Sequence, residues 1–275
     1  MEQLSRIESR LESLSELGDL VGALRSMAAS RSREAREALA GTRAYCATVE
    51  AAIASIAPLE TTGPSAAAAD GSAVLIVLTS ENGFVGGFNT RLVERAARVR
   101  LDDEQLFLVG RRGQVSADER GLVADHVFGM TSRAGAVTAL ARRIVALAQG
   151  TGAVRVLHAD HRPGSAFEIK ETRILPLEAA RPKGAKTPEP PIIQMPPQQL
   201  LQQLAWEYLF AEIASALMQS LAAENVERLR TMDAASRNIE DRLDTLKRQE
   251  RVARQEETTA DMLDVVVGAE AVTSG

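Results

Sequence analysis

Residues 1–25 read MEQLSRIESRLESLSELGDLVGALR, and their spacing decides the fold. Leu4, Ile7, Leu11, Leu14, Gly18 and Val21 stand three and four positions apart in alternation. That is the heptad seam of a helix wound on a partner helix. Leu17, Leu20 and Leu24 widen the stripe beside it. Past Arg31 the seam resumes at Ala35, Ala38, Thr42, Tyr45, Val49, Ala52 and Ile56, and no proline interrupts before Pro58. The region 1–59 therefore predicts one helix on the order of 80 Å long at about 1.5 Å per residue. A helix of that length needs a partner along its whole face.

The partner stands at the other end of the chain. The region 198–275 contains no proline, and Leu204, Tyr208, Leu217, Leu221, Val226, Leu229, Met232, Ile239, Leu243, Leu246 and Ala253 mark a second helical stripe. Ala235 and Ser236 are small enough for two helices to approach closely. Burying both stripes together gives a long antiparallel coiled coil of the N- and C-terminal helices. Their unequal lengths leave one end of the second helix projecting. Aromatic residues make up 3% of the chain against 45% hydrophobic residues overall, and an apolar content of mostly Ala, Leu and Val suits helix seams.

Between the helices the pattern changes. After a soft stretch, 60–71, Ala73-Val74-Leu75-Ile76-Val77-Leu78-Thr79 reads as a buried parallel strand. A glycine-rich turn, Asn82 to Asn89, leads into a helix reaching about Arg100. Residues 105–109, 122–128, 153–158 and 167–174 read as further strands. Residues 132–149 read as a helix with Ser132 as its cap. Strands alternating with helices place a Rossmann-like α/β domain at 72–176. A proline-rich connection, 176–197, follows. The fold class is thus a two-helix coil with an inserted α/β domain.

Several function classes lose support. A net charge of −5 without a basic face speaks against nucleic acid. The single cysteine, Cys46, allows no intrachain disulfide and suggests a reducing compartment; it reads as a seam residue. The N-terminus shows no signal peptide, and no stretch approaches a membrane span. The turn Gly83, Gly86, Gly87 with Asn89 sits where phosphate loops occur, but it lacks the lysine and hydroxyl residue of a P-loop. It reads as a structural turn with Asn89 capping the helix. His158, Asp160 and His161 could suggest a metal site, but they read better as a strand end entering the turn at 162–164.

Three blocks carry a family resemblance. Ile7 to Ser30, Thr79 to Asn89 (TSENGFVGGFN) and Arg254 to Val272 (RQEETTADMLDVVVGAEAV) resemble, in order, blocks of the gamma subunit of rotary F-type ATP synthases; Met232-Asp233-Ala234-Ala235 followed by Asn238 adds to them. The chain is divergent within that family. Asp19 and Gly22 stand where lysines are usual, Leu24 where a methionine is, Glu81-Asn82 where Asp-Arg is, and Glu256-Glu257 where small residues are.

The resemblance implies a central rotor shaft, without catalytic residues, metal, cofactor or direct nucleotide binding. Its implied partners are the alpha and beta subunits of the catalytic hexamer, the epsilon subunit and the membrane c-ring. Its implied place is the cytoplasmic face of a bacterial-type cell membrane, held peripherally. Implied contacts with the catalytic ring are Leu24, Arg25, Met27, Arg254, Gln255, Thr259 and Asp261. The apolar tail 262–267 would sit in a hydrophobic collar. A sodium-translocating paralogue of the same complex is an alternative that accounts for the missing lysines. From other classes, an α/β enzyme with a helical arm would have to draw on Ser80, Glu81, Asp160 and His161, and a coiled-coil scaffold without a rotary role leaves the apolar tail unexplained.

Overall fold

The structure is a computed structural model, and it describes residues 2–59, 72–161, 167–177 and 191–273. The soft stretch 60–71, the turn at 162–164 and most of the proline-rich connection lie outside the described residues, as do the side chains of Glu2, Asp264 and 267–275.

The two expected helices are present. Helix α1 spans Glu2–Ile56, and the last helix, α5, spans Pro197–Thr273. Pro197 opens α5 at the one helical position where its missing N–H costs nothing. The chain divides into two compact units, one formed by Met1–Met27 with Leu229–Gly275, the other by Ala28–Arg228.

In the first unit the two helices pair antiparallel. Arg25 meets Asp233 at 2.5 Å, Gly18 faces the Ile239 side chain, and Glu8 meets Arg254 at 3.1 Å. Positions falling along α1 thus match positions rising along α5. Val21, Met232 and Ile239 are buried at the seam, with Leu14, Leu24, Ala235 and Leu243 packed on them. Leu17 and Leu20 depart from the expected stripe: they are 46% and 56% exposed. They sit next to the a/d seam but turn away from it, and a two-helix contact covers only that narrow seam.

The second unit is a three-layer α/β body. A five-stranded sheet runs in the order β3-β2-β1-β4-β5, with strands Ala73–Leu78, Glu104–Val109, His126–Phe128, Ala153–His161 and Phe167–Leu175 as β1 to β5. The β1, β2, β3 and β4 pairings are parallel, and β5 closes one edge antiparallel to β4. Its parallel part, β3-β2-β1-β4, follows the first four strands of the doubly wound dinucleotide-fold order. Residues of β1 alternate between two apolar layers, which is why its sequence is a continuous hydrophobic run. Val74, Ile76 and Leu78 face α4 (Val137–Ala148) and the long helices, through Ile144, Leu209, Ile213 and Leu217. Leu75 and Val77 face α2 (Phe88–Val99), through Phe88, Leu92 and Val93. Each such buried aliphatic contributes about 1.5–3 kcal/mol over its exposed state. At the N-terminal end of the sheet Arg155 joins Glu104 at 2.5 Å and Glu171 at 2.6 Å, tying β2, β4 and β5.

Three local expectations are corrected. Ser132 does not cap a helix: a 3-10 turn at Ala134–Ala136 precedes α4, whose N-cap is Ala136 with no side-chain bond. Residues 122–125 are not strand, so β3 is shorter than expected. An additional helix, α3, covers Arg111–Asp118. Its polar sequence carries an internal glycine, which hides it. A Cβ on Gly113 would lie 1.9 Å from the Thr79 hydroxyl oxygen, so the helix can sit against the end of β1 only with glycine there.

Candidate functional site

The candidate contact residues from the two ends of the sequence all fall in the first unit. Leu24 packs on the seam beside Val21 and Met232. Arg25 is exposed and paired with Asp233, while Met27 is 47% exposed. On α5, Arg254 reaches Glu8 at 3.1 Å and Glu250 at 2.8 Å. Gln255, Thr259 and Asp261 are exposed, and the Thr259 hydroxyl donates to the Gln255 carbonyl. Beyond them Met262, Leu263, Val265 and Val266 are 56–72% exposed. Four exposed apolar side chains within five positions are what a partner, rather than water, would cover. Exposed ion pairs such as Arg254–Glu8 are worth about 0–1 kcal/mol, so an external carboxylate exchanges for them at little cost.

The glycine-rich turn belongs to the second unit. Asn89 does not cap α2. It is the second residue of that helix, whose N-cap is Gly87, and it is 5% exposed. Its side-chain oxygen accepts the Ser80 N–H at 2.9 Å, and its amide donates to the Ser80 hydroxyl at 2.8 Å. The residue therefore ties the end of β1 to the start of α2. Phe84 and Gly86 take positive φ angles of 61° and 52°, and Phe84 is 65% exposed while Val85 is buried. A left-handed conformation costs a residue with a side chain roughly 1–2 kcal/mol.

The restraint comes from α5. Arg228 donates to the carbonyls of Gly83 at 3.3 Å and Asn82 at 3.4 Å. It also donates to the Asn225 side chain at 3.1 Å and the Glu224 carboxylate at 2.6 Å. Glu224 is buried, and that burial pushes its carboxyl pKa up against the pull of Arg228. From the other side, Glu81 accepts the N–H groups of Met130 at 2.9 Å and Arg111 at 3.2 Å.

Sequence reading missed Glu224 and Arg228. Their signal was present: an acid and a base at i and i+4, with the acid directly after the buried run 220–223. A charge inside such a run is buried only with a partner. Three of the four polar residues that an enzyme would draw on make structural contacts. Ser80 bonds Asn89, Glu81 anchors the turn, and Asp160 pairs with Lys170. Cys46 is buried and its thiol pKa is pushed up to about 12, chiefly by desolvation. Among the described residues no group of three or more His, Cys, Asp and Glu is placed to hold a metal ion.

A family model described as ATP synthase matches residues 3–272. The chain belongs to the ATP synthase family. Relatives within that family align end to end. The ATP synthase gamma chain of Geotalea daltonii is 25% identical and covers 99% of each chain. That of Streptomyces coelicolor is 29% identical over 98% of this chain and 96% of its own. A chain of the Euglena gracilis mitochondrial ATP synthase (OSCP/F1/c-ring) shares the fold at a TM-score of 0.71 and 11% identity, covering 100% of this family member and 96% of itself. A chain of the Tetrahymena thermophila mitochondrial ATP synthase central stalk and c-ring has a TM-score of 0.59 and 19% identity, covering 79% of this chain.

Proposed function

We propose that this chain is the gamma-type rotor of an F-type ATP synthase, carrying torque between a membrane c-ring and a catalytic ring. The observation that supports it best is the antiparallel seam of the first unit. It leaves Met27 and Arg254 on the surface of a two-helix shaft, with Met262, Leu263, Val265 and Val266 exposed further along α5, in a family member aligned over nearly its whole length. A shaft of two unequal helices is asymmetric in cross-section. Surrounding nucleotide-binding subunits therefore meet different faces of it. Differential contacts of that kind shift each subunit between conformations as the shaft turns. The chain contributes contacts and stiffness, and the bond-breaking groups belong to its partners.

Leu24, Arg25, Met27, Arg254, Gln255, Thr259 and Asp261 are the side chains assigned to the alpha and beta subunits. The α/β unit is assigned to the epsilon subunit and the c-ring. No helix among the described residues is long and apolar enough to cross a membrane. A peripheral position on the cytoplasmic face, held by the other subunits, completes the reading. Replacing Arg254 and Gln255 together by Ala tests the contact set. ATP-driven ion pumping in the assembled complex is expected to fall about tenfold or more, the equivalent of roughly 1.4 kcal/mol or more of lost interaction. Unchanged hydrolysis and pumping would remove both residues from it.

A further inference from the structure

Beneath α5, where it crosses β4 and β5, the second unit forms a partly open pocket of about 170 Å3. Its polar lining is His158 from β4, Lys170 and Thr172 from β5, and Glu212 and Gln219 from α5. The His158 ring is 3% exposed, and neither of its nitrogens has a hydrogen-bond partner among the described residues. Burial pushes the ring's pKa down against a weaker upward pull from Gln219, whose amide N–H donates to the Ser215 hydroxyl at 3.2 Å. Buried polar atoms are almost always satisfied, and each one that is not costs about 1–3 kcal/mol. A ring left this way on a pocket wall has both nitrogens available to a bound group.

The charges on the walls select the ligand class. Glu212 presents a carboxylate from the helix side, and its own contact is the Cys46 thiol. Lys170 presents an ammonium from the sheet side and is paired with Asp160, not with Glu212. A simple anion would meet Glu212, and a simple cation would meet Lys170. A ligand carrying both charges meets an opposite charge at each end. Val156, Ile174 and Ala216 supply an apolar wall for a short aliphatic group. The volume lies well below the roughly 300–1,000 Å3 of sites for drug-sized ligands, which excludes a nucleotide. We propose that this cavity binds a small zwitterion of the α-amino-acid class, with its ammonium on Glu212 and its carboxylate on Lys170 and the His158 N–H. Such a ligand would pin α5 to the sheet. The proposal depends only on the second unit, and it stands or falls separately from the rotor assignment.

The full-length chain labelled with 15N-histidine carries His126, His158 and His161 as three reporters. L-Valine is titrated in and the ring signals are followed by NMR. A saturable shift at His158, absent at His126 and weakened about tenfold or more by Glu212→Gln, is the expected result. Ala216→Leu, which fills the cavity, should abolish the shift while the other two rings confirm the fold. No saturable shift overturns the proposal. So does an equal response to acetate, ethylamine or phosphate, or valine binding that survives Ala216→Leu.

Discussion

Arg228 spreads one guanidinium over two backbone carbonyls, an amide and a carboxylate, and both it and Glu224 are nearly withdrawn from water. Removing one partner of a buried pair costs about 3–5 kcal/mol, because the other charge is stranded. Arg228→Ala is therefore expected to lower the unfolding free energy by that amount in urea titrations. Arg228→Met with Glu224→Leu should recover most of it. Recovery would show that satisfaction of the charges, not packing, is the main contribution. His158 gives a pH signature. Burial lowers its pKa from 6.5 to about 4, so the folded chain releases a proton that the unfolded chain binds. Its stabilising effect is complete above pH 6.5 and is lost as the pH falls toward 4, by roughly 2–4 kcal/mol in all. A His158→Leu chain should lose less stability than the natural chain over that interval, read from denaturation midpoints. At this scale the sequence was least legible. Asn89 and Ser132 fit the chemistry of caps, but Asn89 was drawn off by Ser80 and a 3-10 turn took the place of the Ser132 cap. Local propensity cannot foresee either competitor.

The elements were far more legible, because a repeat sustained over many turns outweighs any single residue. The seam at Ile7 and Val21 and its partners Met232 and Ile239 could be read from spacing alone. The strand 73–78 could be read from an unbroken apolar run, which demands a layer on each face. Helix α3 could not, since eight residues with two buried positions make no periodic signal. The width of the coil seam was also overestimated at Leu17 and Leu20, where spacing alone does not set how much of a helix its partner covers. Within the coil Gly18 leaves room for modest growth. A Cβ there would lie 3.5 Å from Ile239, an ordinary contact. Gly18→Ala should raise stability by about 0.5–1 kcal/mol through helix propensity. Gly18→Leu should lower it by about 1–3 kcal/mol through overpacking. Thermal melts of the two variants, shifting in opposite directions, would check the closeness of the seam.

For the whole molecule, composition narrowed the function by exclusion, and the blocks at 79–89 and 254–272 named the family that the full-length match then established. What they could not supply is motion. Rotation of this chain inside a catalytic ring, as proposed above, can be observed directly. Val123 is 73% exposed on the α/β unit, while Cys46 is buried with its thiol pKa raised to about 12, so a cysteine placed by Val123→Cys can be labelled selectively. With the ring fixed to a surface and a bead on that cysteine, ATP should drive sustained rotation in one direction. ATP turnover with the bead stationary, or moving without direction, would overturn the rotor role.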